Sequence, residues 1–446
     1  MRFTSINGCR TLYLSAVFLI SGLSPHLAYA DTNTDLTLKK AIAQTLEQNP
    51  RLYQYSFVKD DYSAQRQTQS LRPVIELGLE VENFAGSGEL RGFDSAEATL
   101  SLSSVIEMGG KRQARMSLVD ARLAGVQWLQ QAATLDVLGK LTQVYINGLA
   151  SQENIALANE ALDLSRSLFQ TIKSSAKRGV TPEAEVMRAQ VAVTQAEIRL
   201  AALLSKFERQ KVSLASFWGE MNPQFIKLTG NLFEFGTSES FEQLYTRIKK
   251  SPAIEVFASE QRIKDAEVTL ARTNGKSDIT WQAGVRRFKE SDDAALTAGF
   301  SIPLFSNKRN QGEVKVALAR RNAVEYARLD ALLQLHTKLF EAYSLRQQNI
   351  EAVDQTQNTS IPALEKALNL TRQGYENGRY SYLDLITAQE ELLATKQALI
   401  DAATNGLVSQ ALIEQLTSEA FAQKRILKKH SQLIPPRANH IGNHNE

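Results

Sequence analysis

The stretch Gly179-Val180-Thr181-Pro182-Glu183-Ala184-Glu185-Val186-Met187-Arg188-Ala189-Gln190 returns, altered, as Gly378-Arg379-Tyr380-Ser381-Tyr382-Leu383-Asp384-Leu385-Ile386-Thr387-Ala388-Gln389. A glycine leads each copy, Ala-Gln closes each, and a carboxylate (Glu185, Asp384) holds the same slot. The register runs on past the motif. Val186, Val193, Leu200, Phe207 and Leu214 recur every seven residues, with Ala189, Ala196, Leu203 and Phe217 at the complementary position. Shifted by 199 residues, Leu385, Leu392, Leu399 and Ile413 do the same, with Ala388, Ala402 and Leu416 alongside. A heptad held over about four repeats predicts coiled-coil packing, and the shared offset predicts a duplicated unit.

Working outward, Asn49-Pro50 answers Ser251-Pro252, and Lys111-Arg112 answers Lys308-Arg309. Each copy, 31–230 and 231–422, reads as a helix, two short alternating segments, a very long helix, a glycine turn and another long helix. No proline interrupts Lys111 to Lys177, and Arg309 to Gln373 is broken only by Pro362. A helix of ~65 residues reaches on the order of 100 Å at 1.5 Å per residue, a length suited to crossing a distance. At the turns, Gly179 can stop one helix, with Thr181 expected to cap the next and Pro182 at its first position. Ser381 and Asp384 form a capping-box-like pair after Gly378.

The alternating segments fall at about 74–84 and 97–106, then 278–287 and 295–303. Leu77, Leu79 and Val81 alternate with Glu76, Gly78, Glu80 and Glu82; Leu100 and Leu102 alternate with Thr99, Ser101 and Ser103. In the second copy, Trp281, Ala283 and Val285 alternate with Gln282, Gly284 and Arg286, and Leu296, Ala298 and Phe300 with Thr297, Gly299 and Ser301. This period fits transmembrane β-strands with one lipid face and one watery face. A soluble antiparallel sheet would alternate equally well; the export signal and the long helices feeding both hairpins favour the membrane. Four strands cannot close a barrel, and lipid does not tolerate open edges. An eight-stranded barrel is filled by side chains, so three copies and twelve strands form the smallest symmetric conducting tube.

The N-terminus has the build of a secretory signal over 1–30: basic Arg2 and Arg10, an apolar Leu12 to Leu23, and Ala28-Tyr29-Ala30 for cleavage. The only cysteine, Cys9, lies within that leader, so a mature chain has none to form disulfides. Charged residues make up 22% of the sequence, and the formal charge of +3 falls to about +1 without Arg2 and Arg10, which gives no footprint for nucleic acid. No later stretch approaches the roughly 20 apolar residues of a spanning helix. The tail, 423–446, lacks periodicity and is expected to be disordered.

These features resemble the outer-membrane efflux protein family, the TolC-like export ducts, over about Leu36 to Leu416. Both Gly…Ala-Gln elements carry the likeness, as does Ser301-Ile302-Pro303-Leu304-Phe305. Ile106-Glu107-Met108-Gly109-Gly110-Lys111-Arg112 resembles the heavy-metal, CzcC-like branch. The resemblance implies an α+β membrane fold: two tandem repeats giving four strands plus coiled-coil helices, assembled as a homotrimer with a twelve-stranded barrel and a periplasmic helical tunnel. It implies a periplasmic adaptor and an inner-membrane pump of the resistance-nodulation-division (RND) type as partners, outer-membrane lipid around the barrel, and a passive channel exporting heavy-metal cations. Multidrug efflux and type I secretion ducts share this build. By the same likeness the adaptor-docking tips are Arg178, Gly179, Val180, Thr181 and Asn377, Gly378, Arg379, Tyr380, Ser381. Asp384 matches an acidic entrance constriction, with Glu185 as its counterpart, while Thr387 stands where some members carry a second aspartate.

Two other classes are in play, a periplasmic coiled-coil adaptor and a structural coiled-coil protein. Neither needs paired strands alternating against lipid. The sequence presents no catalytic constellation, phosphate loop, cofactor motif or resident metal site. His336 stands alone in a long helix, and His430, His440 and His444 lie in the tail, where His440 and His444 could bind a metal weakly but lack acidic or cysteine partners.

Overall fold

The computed structural model describes residues 35–418 apart from Ser238. The leader at 1–30 and the tail at 423–446 lie outside the described residues.

The chain starts with β1 (Leu36–Thr37), α1 (Leu38–Gln48) and α2 (Pro50–Gln69). Asn49 breaks the first two helices apart: its side chain accepts from Leu52 N at 3.2 Å, and Pro50 takes the first helical position, where its missing N–H is not needed. Next come β2 (Glu76–Glu82), β3 (Glu97–Ile106), α3 (Lys111–Lys177) and α4 (Glu183–Ala215). The second unit repeats that order: β4 (Leu228–Thr229), α5 (Phe241–Ile248), α6 (Pro252–Asn274), β5 (Ile279–Phe288), β6 (Ala294–Ser301), α7 (Ser306–Gln355), α8 (Ile361–Glu376) and α9 (Tyr382–Thr417).

Helix α3 runs unbroken for 67 residues, about 100 Å. Its counterpart is split. Pro362 cannot donate to a carbonyl one turn back and its ring crowds that turn, so a π-helical turn at Thr356–Ser360 separates α7 from α8. The heptads face inward. Ala189, Val193, Phe207 and Leu214 are buried in α4, as are Leu385, Ala388, Leu392, Leu399 and Ile413 in α9. Helix α3 packs against α2, α4, α6 and α9, and α9 also packs against α7 and α8, so the two units share one helical body.

The largest core surrounds Tyr145 of α3, with Leu141, Ile146, Phe207, Leu214 and Trp218. Strands β1 and β4, the starts of the two units, pair in parallel beside it (Leu36 opposite Leu228). The Tyr145 hydroxyl lies 2.7 Å from both the Leu36 and the Thr229 carbonyl oxygens. Burial pushes its pKa up to about 12.

Candidate functional site: one sheet and two helical tips

The four long strands form one antiparallel sheet in the order β2-β3-β5-β6, and the central pair β3–β5 joins the two units. Register turns the sequence alternation into two faces. Leu79 lies opposite Leu100, Leu100 opposite Val285, and Val285 opposite Leu296. Trp281 lies opposite Phe300 on the same face. That face is uncovered: Leu77 and Leu79 are each 71% exposed, Phe300 78% and Leu296 88%. A water-soluble protein does not leave a continuous apolar sheet face open.

The opposite face is polar, built from the rows through Glu80, Thr99, Arg286 and Ala295 and through Gly78, Ser101, Gly284 and Thr297. Arg286 organises it, donating to Glu97 at 2.9 Å and Thr99 Oγ1 at 2.9 Å, and pairing with Glu82 at 3.0 Å. Gly284 serves close approach, since a Cβ there would stand 2.6 Å from the Leu100 carbonyl oxygen. The outer edges of β2 and β6 have no strand beside them among the described residues.

The joint between sheet and helix explains the Glu-Met-Gly-Gly-Lys-Arg motif. Gly109 and Gly110 both take left-handed backbone (φ +74° and +77°), a turn costly for any residue with a Cβ. Glu107 forms a bidentate ion pair with Arg115 one turn into α3. Asp278, just before β5, accepts from Met108 N at 3.0 Å and Lys111 Nζ at 2.7 Å, locking the two joints together.

At the far end of the helices the two turns share one geometry. Gly179 (φ +76°) and Gly378 (φ +73°) are left-handed. Val180 N donates to Ser175 O at 3.1 Å, and Arg379 N donates to Gly374 O at 2.7 Å, so each helix closes with the same Schellman-type bond. Arg178 and Asn377 are the matching C-caps. The tips differ where the next helix begins. Ser381 and Asp384 make the full capping box: the Ser381 N and Oγ lie 2.8 and 2.7 Å from Asp384 Oδ2, and Asp384 N donates to Ser381 Oγ at 3.2 Å. Those bonds hold the Asp384 carboxyl below its usual value.

The expected Thr181 cap is not made. Pro182 occupies the N-cap position, and the Thr181 hydroxyl instead lies 3.4 Å from the Tyr375 hydroxyl of α8. The reason is geometric: with Pro182 at the N-cap and α4 starting at Glu183, Thr181 is one position too early to reach the first free amides. The contact brings the first tip against the second hairpin. Beneath both tips, Leu168, Ile172 and Ala189 pack with Leu368, Leu385, Ala388 and Leu392. Glu185 is half-buried, near enough to the Tyr382 ring to raise that phenol's pKa together with burial, the larger cause. Asp384, Val180 (73% exposed) and Tyr380 (51%) are open. Leu383, 71% exposed, was not singled out in sequence; it is an apolar residue off the heptad, which was the available signal.

His336 proves to be packed rather than alone, edge-on to Phe241 and Tyr245. Among the described residues no group of three or more His, Cys, Asp or Glu could hold a metal ion, and no helix is long and apolar enough to cross a membrane.

The profile of the outer membrane efflux protein family matches residues 27–220 and 244–419. The cobalt-zinc-cadmium resistance protein CzcC of Cupriavidus metallidurans is 25% identical over 408 residues, 87% of this chain and 94% of that one. The nickel and cobalt resistance protein CnrC of the same organism is 27% identical over 336 residues, 73% of this chain and 75% of its own. Among solved structures, CusC superposes with a TM-score of 0.71 at 16% identity, covering 86% of this chain and 92% of CusC. The Campylobacter jejuni CmeC outer membrane channel also reaches 0.71 at 16% identity, covering 89% and 88%.

An uncovered apolar sheet face, a polar face behind it and long paired helices define a subunit of an outer-membrane channel. The chain belongs to the outer membrane efflux protein family. Its strands lie in the outer membrane and its helices extend into the periplasm.

Proposed function

We propose that this chain is one third of a passive exit duct for heavy-metal cations, with three copies pairing β6 of one to β2 of the next to close a twelve-stranded barrel. The observation that carries the reading is the sheet itself: one apolar face, one polar face and, among the described residues, two free edges. Closure removes edges that lipid would not tolerate. The apolar face then meets acyl chains, and the row around Arg286 lines the water-filled side.

The helical tips meet a periplasmic adaptor, which couples the duct to an RND-type pump in the inner membrane. Arg178, Gly179, Val180, Thr181, Asn377, Gly378, Arg379, Tyr380 and Ser381 form the docking surface, to which exposed Leu383 adds apolar area. Metal cargo is supported by the names of the cobalt-zinc-cadmium and nickel-cobalt resistance relatives. Deleting the gene should lower tolerance to zinc, cobalt, cadmium or nickel and leave drug tolerance unchanged; drug sensitivity with normal metal tolerance would overturn the cargo.

Asp384 forms an acidic ring at the periplasmic mouth, with half-buried Glu185 behind it. Only Oδ2 of Asp384 is engaged in the cap, so the second carboxylate oxygen is left to face cations. Three like charges around a narrow opening favour cations and repel anions. Asp384→Asn should therefore reduce cation preference in planar-bilayer recordings. Within one chain the hydrogen bonds from Ser381 favour the charged carboxylate. Selectivity untouched by Asp384→Asn would remove Asp384 from the constriction.

A further inference from the structure

We propose that the open cleft between the end of α6 and the first turns of α7 binds the anionic head group of a membrane phospholipid. The inference rests on the channel reading above. The cleft has a volume of about 390 Å³ and is lined by Arg272, Asn307, Asn310, Gln311, Val314 and Lys315. Two cations, three amides and no carboxylate suit a phosphodiester, which takes charge and hydrogen bonds together. Lys308 precedes Lys315 by seven residues and so shares its face of α7. Lys276 lies two residues beyond α6, its side chain against Gly109.

Among the described residues the cations of the cleft have no acidic partner. Several other cations near the sheet–helix joints have acidic partners: Lys111 with Asp278, Arg115 with Glu107, Arg122 with Glu267, Arg321 with Asp265. No ion pair within the described residues reaches Arg272, Lys276, Lys308 or Lys315. Arg272 and Lys315 in the cleft, with Lys308 one heptad earlier on the same face of α7, are a local surplus of charge that no ion pair among the described residues uses.

Position identifies the source of the anion. Leu304 and Phe305, each 75% exposed, come immediately before α7 and follow the uncovered face of β6, where Leu296 and Phe300 lie open. The surface thus changes from apolar to cationic within about one helical turn. That is the profile of an acyl–head group boundary, where basic side chains extend toward phosphates. Inorganic phosphate shares the head group's chemistry but offers nothing to Leu304 and Phe305.

The test uses the purified assembly in a neutral detergent. Thermal stability and retained lipid, read by native mass spectrometry, are compared with added phosphatidylglycerol, phosphatidylcholine or inorganic phosphate. Phosphatidylglycerol alone should raise the melting temperature and remain bound. The triple variant Arg272→Gln/Lys308→Gln/Lys315→Gln should lose about a hundredfold in phosphatidylglycerol affinity. Arg309→Gln, in the same turn but on another face of α7, should behave as wild type. Equal stabilisation by phosphatidylcholine or phosphate, or undiminished binding by the triple variant, would overturn the proposal. So would a triple variant that falls apart into single chains regardless of lipid, since the cleft would then be a contact between copies. A wild-type protein recovered as a water-soluble single chain would instead sink the channel reading, and this inference with it.

Discussion

Placing arginine at Leu296 or Phe300 is expected to abolish assembly in the outer membrane. Both side chains are almost fully exposed on the single chain, at 88% and 78%. In a water-soluble protein such surface changes stay within about 0.5 kcal/mol of neutral. On the lipid face of a barrel the same arginine costs about 2–4 kcal/mol near the bilayer midplane, less toward the interfaces. Three copies multiply that penalty to a size comparable with the whole stability of a typical domain, about 5–15 kcal/mol. The contrast is Gln282→Arg, an exposed site in the row of Ser103 and Gly299 on the polar face. It should assemble normally. The amount of assembled protein in outer-membrane fractions separates the two. Equal recovery of Leu296→Arg and Gln282→Arg would mean that the apolar face does not meet lipid.

The second large effect is expected at Tyr145, far from the membrane. Its ring is 2% exposed and its hydroxyl serves the carbonyls of Leu36 and Thr229, where the two units begin. Tyr145→Phe keeps the packing but strips the donor from buried carbonyls, costing about 1–3 kcal/mol. Tyr145→Ala also opens a cavity in the largest core, for which about 3–5 kcal/mol is the usual range for a large aromatic. Thermal unfolding should therefore rank wild type above Phe and Phe above Ala. The unfolded phenol ionises near pH 10, whereas burial pushes the folded one up to about 12. Stability from this group is complete below pH about 10 and drains away as pH rises toward 12. Tyr145→Phe should abolish that alkaline loss; an unchanged alkaline profile would show that the hydroxyl is not held as described.

Much of this was legible because it depends on local period. Heptads such as Leu385-Leu392-Leu399 bury their own stripe wherever the partner lies, and alternation such as Leu77-Leu79-Val81 survives any choice of neighbour. Pairing between distant segments was not legible. Nothing local says that β3 leaves its own unit to pair with β5, or that a two-residue β1 finds β4 across about 190 residues of chain. Tyr145 was hidden for the same reason, since both carbonyls it serves are remote. Pro362 marked a break, but the form of the break, one π turn, depends on the carbonyls behind it. At the tips Ser381–Asp384 was readable as a cap because both partners are three residues apart. Thr181 misled because Pro182 shifts the helix start by one residue, and its hydroxyl turns to Tyr375, a partner 194 residues away.

A half-barrel sheet completed by copies of itself has a definite particle mass. Extracted from outer membranes with a mild detergent and measured by light scattering with the detergent subtracted, the particle should contain three chains. Recovery as a single chain in the soluble periplasmic fraction would contradict the account.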